Sequence, residues 1–290
     1  MKSKFLCYIF FLIIATPVFS QDDLLSLLDE DEGQEVKYIA ASFKGTHVIN
    51  GHSSKTKNKG ELDFLVYHRF GTVNSGVQEL FGLDQANMRL GFEYGLSDKL
   101  DLGIGRSTFE KTYDGYIKWK FLRQKSGAEK SPVTMVWLSS IAIPTNTIPE
   151  DLTTLERMGF TNQLIISRKF GYNLTLQIMP GMIHLNTVPR LVDNNSIYYL
   201  GLAYRYKLNQ SLALTGEYYH RFNPFESVET YDVIGIGVDI ETGGHVFQLH
   251  LTNSRPTYEK GFIAETSDNF WDGDIRFGFN ISRTFQVANK

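Results

Sequence analysis

Asp274-Ile-Arg-Phe-Gly-Phe-Asn-Ile-Ser-Arg-Thr-Phe285 is the stretch whose reading decides the fold. Ile275, Phe277, Phe279, Ile281 and Phe285 occupy every second position except Arg283, and Arg276, Gly278, Asn280, Ser282 and Thr284 fill the positions between. A period of two describes a strand with one apolar and one polar face. A strand of about ten residues with an aromatic face matches the dimensions of a membrane-crossing β-strand. An antiparallel strand of a soluble sandwich has the same pattern, so the rest of the chain must separate the two.

The pattern recurs upstream. Met88, Leu90, Phe92, Tyr94 and Leu96 alternate with polar residues and glycines, and after a turn at 97–99 Leu100, Leu102 and Ile104 continue the alternation, as in a hairpin. Further strands are read at residues 116–121, 133–143, 174–182, 198–206, 212–219, 231–240 and 246–252. Residues 38–50 and 62–70 are less regular, and 162–170 alternates poorly. With the final strand this makes thirteen segments. An even number is the rule for single-chain bacterial barrels. Either residues 36–51 supply two strands, giving fourteen, or one segment is not a strand, giving twelve.

Connection lengths favour the membrane. Short turns fall near 96–99, 171–173, 208–210 and 241–244, and longer polar loops near 144–158, 186–195, 221–229 and 253–273. Alternating short turns and long loops characterise an outer-membrane barrel, with the long loops outside. The charged stretch 123–131 is an exception on the short side. Tyr198 and Tyr206 flank Leu200 and Leu202 on one face, which puts aromatic rings at both interfaces and aliphatic groups between them. The expected fold is therefore all-β, an antiparallel transmembrane β-barrel of 12–14 strands.

Export is expected. Lys2 and Lys4 precede an apolar run at 5–15, too short to span a bilayer, and Val18 and Ser20 fit a cleavage site before Gln21. This divides the chain into a signal peptide (1–20), an acidic tail (21–35) and the barrel (36–290). The only cysteine, Cys7, lies in the leader, so the mature chain would hold no disulfide and no thiolate. Loss of Lys2 and Lys4 takes the formal charge from −3 to −5. The absence of basic clusters argues against a nucleic-acid partner. The tail carries seven carboxylates with Leu24, Leu25, Leu27 and Leu28, and reads either as a solvated leader or as a docking segment for an envelope partner.

On the face opposite the apolar residues lie Arg89, Glu93, Asp101, Lys118, Lys120, Arg205, Lys207, Glu217, Asp239, His250 and Arg276, the expected lumen lining. Arg89 and Glu93 stand two inward steps apart, as in an ion-pair ladder or a charge-selective constriction. Both signs of charge argue against strong ion selectivity. No Walker loop, His-Glu-x-x-His or Gly-x-Ser-x-Gly is present. His47 and His52 are placed at a strand end, read as surface residues rather than a metal site. No enzyme, cofactor or metal is expected.

Several segments resemble a known family: Phe43-Lys44-Gly45-Thr46-His47-Val48-Ile49-Asn50, Tyr67-His68-Arg69-Phe70-Gly71, Phe81-Gly82-Leu83-Asp84, Gly103-Ile104-Gly105-Arg106-Ser107 and Lys111-Thr112-Tyr113-Asp114. They are similar to Bacteroidota outer-membrane β-barrel proteins catalogued as a domain of unknown function, over about residues 43–285. The resemblance implies the fold and the outer membrane and supplies no activity. Two functions stand open: a small-solute pore or transporter, and a non-conducting barrel serving as scaffold or partner in an envelope complex.

Overall fold

The structure is a computed structural model that describes residues 36–39, 42–127, 130–148, 151–242 and 245–288. The expected signal peptide and acidic tail lie outside these residues. Twelve antiparallel strands close into one barrel: β2 (Glu61–Thr72), β3 (Ala86–Ser97), β4 (Leu100–Ser107), β5 (Tyr113–Leu122), β7 (Thr134–Ile143), β8 (Gly159–Phe170), β9 (Leu174–Leu185), β10 (Ser196–Lys207), β11 (Leu212–Arg221), β12 (Val233–Thr242), β13 (His245–Thr252) and β14 (Arg276–Gln286). The last strand pairs with the first, Gly278 opposite Arg69 and Phe285 opposite Leu62, so no strand edge is left open. Outside the barrel, β1 (Lys37–Tyr38) pairs with β6 (Lys125–Ser126) in the connection between β5 and β7.

Period-two alternation becomes an inside and an outside. On β3, Asn87, Arg89 and Glu93 are buried while Leu90, Phe92 and Leu96 are exposed. On β10, Leu202 is 41% exposed and its neighbour Ala203 6%. Ile236 and Ile178 project outward from β12 and β9. Lipid offers these aliphatic groups no penalty and satisfies no backbone group, and the closed ladder meets both conditions. Exposed aromatics gather toward the strand ends: Trp119, Phe121, Phe170 and Tyr206 at the short-turn end, Tyr113, Tyr198, Tyr218 and Phe222 at the other. The two groups form the expected interfacial belts.

Residues 38–50 are not a barrel strand, which resolves the strand number as twelve. The chain instead enters the lumen from the short-turn end as a hairpin plug over residues 42–58. It reverses between Val48 and Gly51, where Val48 N–H donates to Gly51 O at 2.8 Å, and Ser53 N–H donates to Thr46 O at 2.9 Å. The plug leaves by the same end, where Gly60 N–H meets Gly95 O at 2.9 Å. Asn50-Gly51 is a turn-forming dipeptide, and it marks the tip. A side chain at Gly51 would sit 1.6 Å from the Tyr219 hydroxyl oxygen, so the tip fits against β11 only as glycine.

The connection 253–275 also departs from expectation. Rather than lying wholly outside, it folds into the barrel from the long-loop end, and the single-turn π-helix at Lys260–Ala264 is buried throughout. Phe262 meets the Tyr219 ring edge-on at 5.1 Å between centroids. Phe43, Val48, Ile49, Phe262 and Ile263 join inward residues of β7–β12, among them Val136, Leu138, Ile165, Met179, Ile183 and Ile197, in one apolar core.

Candidate functional site: the filled lumen

The plug tip is held chiefly through its backbone. Glu217 on β11 accepts three N–H groups, from Ile49 at 3.3 Å, Asn50 at 2.8 Å and Gly51 at 3.1 Å. Successive amides converging on one carboxylate form an anion nest, and the buried charge is thereby solvated by the plug. Around the tip, Gln248 donates to Val48 O at 2.8 Å, Asn280 to Ile49 O at 2.8 Å, and Arg69 to Asn50 Oδ1 at 2.9 Å. Nearer the rim, Gln177 bonds both His52 O and Ser54 N–H, Lys118 donates to Thr46 O at 3.2 Å, and Asp101 accepts Lys57 N–H. Each of these wall residues satisfies a plug group that no strand ladder could reach.

Plug and outer insert meet at a buried polar contact. His52 Nε2 lies 2.9 Å from Glu259 Oε1, both side chains nearly excluded from solvent. His47 packs on His52 with ring centroids 3.9 Å apart and pairs through Nδ1 with the Tyr67 hydroxyl at 2.7 Å. The two histidines do meet, but as buried partners inside the lumen rather than at the surface. Among the described residues, no cluster of three or more His, Cys, Asp or Glu side chains is arranged to hold a metal.

The anticipated lumen residues divide by environment. Arg89 and Glu93 do not pair with each other. Arg89 clasps Asp114 two strands away, Nε to Oδ1 at 2.8 Å and Nη2 to Oδ2 at 2.5 Å, while Glu93 lies 3.8 Å from Lys118. The reach to Asp114 depends on Gly105, where a Cβ would stand 2.4 Å from Arg89 Nη2. Arg205 bonds Glu241 at 2.6 Å and lies 3.7 Å from Asp239, which also accepts from Gln248. Arg276 binds Asp268 of the outer insert at 2.5 Å. Asp101, Glu217 and His250 are buried, and neither ring nitrogen of His250 has a hydrogen-bond partner among the described residues. Lys120 is half-buried and donates to Thr56 of the plug at 2.6 Å. Lys207 sits at the rim on the exposed Tyr172 hydroxyl, 2.8 Å away. His68, the neighbour of Arg69, points outward and stacks on Phe279.

Cavities open on both sides of the filled zone. The outer one, about 520 Å³, is walled by Ile148, Leu152, Val188 and Phe225 and carries Arg157, Lys260, Glu110 and Glu265. Burial, together with the adjacent Glu265 carboxylate, raises the Glu110 carboxyl above the usual range. The inner one, about 410 Å³, lies between plug and wall at the short-turn end.

Sequence reasoning missed the plug contacts Gln177, Gln248 and Asn280, because neutral inward amides look like any strand's wet face. Glu259 was hidden in a segment read as an outside loop. The apolar triplet Phe262-Ile263-Ala264 within that segment was the available cue.

The fold is shared with solved outer-membrane proteins at low identity. The COG4313 outer membrane channel from Pseudomonas putida F1 is similar at TM-score 0.50 and 14% identity, covering 80% of this chain and 98% of its own. The NanC porin (TM-score 0.48, 10% identity, 78% and 100% covered) and a KdgM porin in complex with disordered oligogalacturonate (0.48, 9%, 78% and 99%) are similar to a lesser degree. No curated protein matches the sequence. The family model described as "Membrane bound beta barrel domain (DUF5777)" matches residues 43–285, from the entry of the plug to the penultimate residue of β14, and the chain belongs to that family.

Proposed function

We propose that this protein is an outer-membrane pore or transporter for small solutes, exported by a cleaved signal peptide and closed here by its two inserts. The observation that carries the reading is the relation of barrel size to filling. Wall side chains suffice to fill a barrel of about eight strands, whereas twelve enclose a wider lumen. That extra space is occupied by segments 42–58 and 257–264, which enter from opposite ends and are not part of the wall. In this reading the charged residues of β3, β4, β5, β10, β11, β12, β13 and β14 line the solute path, with the short turns facing the periplasm. Residues 22–35 then lie on the periplasmic side, where their leucines and carboxylates suit docking to an envelope protein.

A filled interior is also what a non-conducting scaffold would have. Planar-bilayer recording separates the two. Ile39 and Asn58 border the same inner cavity, so excising residues 43–56 leaves a short gap to close. Wild type is expected to stay shut and the excised form to conduct. If a folded barrel lacking the plug and also trimmed at 257–264 gives no current, the pore reading fails and the scaffold reading stands.

A further inference from the structure

The inner cavity has an unbalanced chemistry. Lys44, Lys55, Lys120 and Arg123 line it, with Asp98 the one carboxylate among its lining residues. Lys44 pairs at 2.7 Å with Glu241, a carboxylate it shares with Arg205. Asp98 Oδ1 already accepts Lys59 N–H at 3.0 Å, and its carbonyl accepts the Thr56 hydroxyl. Among the described residues, Lys55, Lys120 and Arg123 have no carboxylate within ion-pair distance. Lys55 instead donates to Lys44 O, Lys120 to Thr56 Oγ1, and Arg123 lies 4.7 Å over the Tyr38 ring. Donors thus outnumber acceptors: three cations face a half-enclosed space whose lining offers one carboxylate, Asp98, while Asp63, Glu61 and Asp101 act on Lys55 and Lys120 only from beyond ion-pair distance.

Such an arrangement costs repulsion until an anion enters, and its volume falls within the range of small-ligand pockets. We propose that this cavity is a binding site for a small polyanion, such as a di- or tricarboxylate, held at the seam between plug and wall. Lys55 comes from the plug and Lys120 and Arg123 from the end of β5, so one ligand bridges both parts. The proposal rests on the pore reading only for its place in transport; binding itself needs no open channel. A ligand with several carboxylate groups suits the mix, one planar group matching the guanidinium fork and the others the two ammonium groups.

The test is calorimetric titration of citrate into the detergent-solubilised full chain. Saturable binding to wild type is expected, weakened at least about tenfold in Lys55→Gln/Lys120→Gln/Arg123→Gln, since each lost charge-assisted contact matters. Lys99→Gln, at the same rim but outside this cavity, is expected to bind as wild type does. Heat-dependent gel migration reports whether each barrel is folded. Citrate failing to saturate folded wild type overturns the proposal without recourse to a variant. Equal weakening by Lys99→Gln also overturns it, because a diffuse positive rim would then explain the binding. A chain that conducts after plug excision yet never binds citrate retains the pore and loses this site. One that binds citrate and never conducts does the reverse.

Discussion

The interior wall has two sectors of opposite character. From β2 to β5 it carries Arg69, Arg89, Glu93, Asp101, Asp114 and Lys118, paired across strands or to the plug. From β7 to β10 it carries Val136, Leu138, Ile165, Met179, Ile183 and Ile197, packed dry against the inserts. Lipid imposes the same demand on the outside of both sectors, so their outer faces match. Nothing outside dictates the inside, and there the chain concentrates ion pairs on β2–β5 and an apolar core, interrupted by polar residues such as Gln163, Gln177 and Arg205, on β7–β10. One plug therefore has two kinds of neighbour, polar contacts that fix its position and apolar ones that exclude water.

The sharpest way to break this contrast is to move charge into the dry sector. Ile165→Asp should cost on the order of 5 kcal/mol, since no partner surrounds it, read as loss of heat-resistant gel migration or as a collapsed urea midpoint. A tolerant Ile165→Asp would mean the sector is wet. In the charged sector the damage comes from removing one partner. Arg89→Ala strands the Asp114 carboxylate and should cost ~3–5 kcal/mol, and Arg89→Leu with Asp114→Leu should recover much of it. Failure of the double variant to recover would show that packing, not pairing, is what Arg89 supplies. The outer faces should not distinguish the sectors. Leu90→Arg behind the charged one and Leu202→Arg behind the dry one should each cost about 2–4 kcal/mol in bilayer refolding. A large difference between them would mean the outer environment is not uniform. The smallest effect on the barrel belongs to deletion of residues 22–35, which alters no residue of either sector: assembly should be unchanged and capture of an envelope partner weakened in pull-downs.

Where lipid sets the rule, sequence reading succeeds. Leu90, Phe92 and Leu96 on β3, or Leu200 and Leu202 on β10, alternate because one face is hydrocarbon and the other polar. On β8 that contrast vanishes. Ile165 faces inward between the outward Leu164 and Ile166, so the alternation blurs although the strand is as regular as its neighbours. Residues 38–50 misled for another reason: they are read as an irregular strand, and the plug they enter is buried at every residue from 45 to 54, so it has no two-faced pattern to display. Asn50-Gly51 at its tip was the distinctive signal. The Arg89–Asp114 pair depended on β4 register and on the missing side chain at Gly105, neither of which a single strand's pattern contains. Ala203 carries the same lesson, since facing inward there means belonging to the dry core, not to a tolerant wet surface.

The hairpin shape of the plug has a mechanical consequence. Both of its arms leave by one end of the barrel, so a pull on the entering arm alone peels it from the wall toward the tip and reaches the contacts one after another. From the preceding chain, Thr175 to Ser42 O takes the strain first, then Lys118 to Thr46 O, then the Glu217 cradle at the tip, and only afterwards Gln177 and Asp101 on the returning arm. Bonds broken one after another yield at a far lower force than the same bonds sheared together. The stopper can thus resist thermal escape through its full set of contacts and still come out under a modest tug on the chain that precedes it.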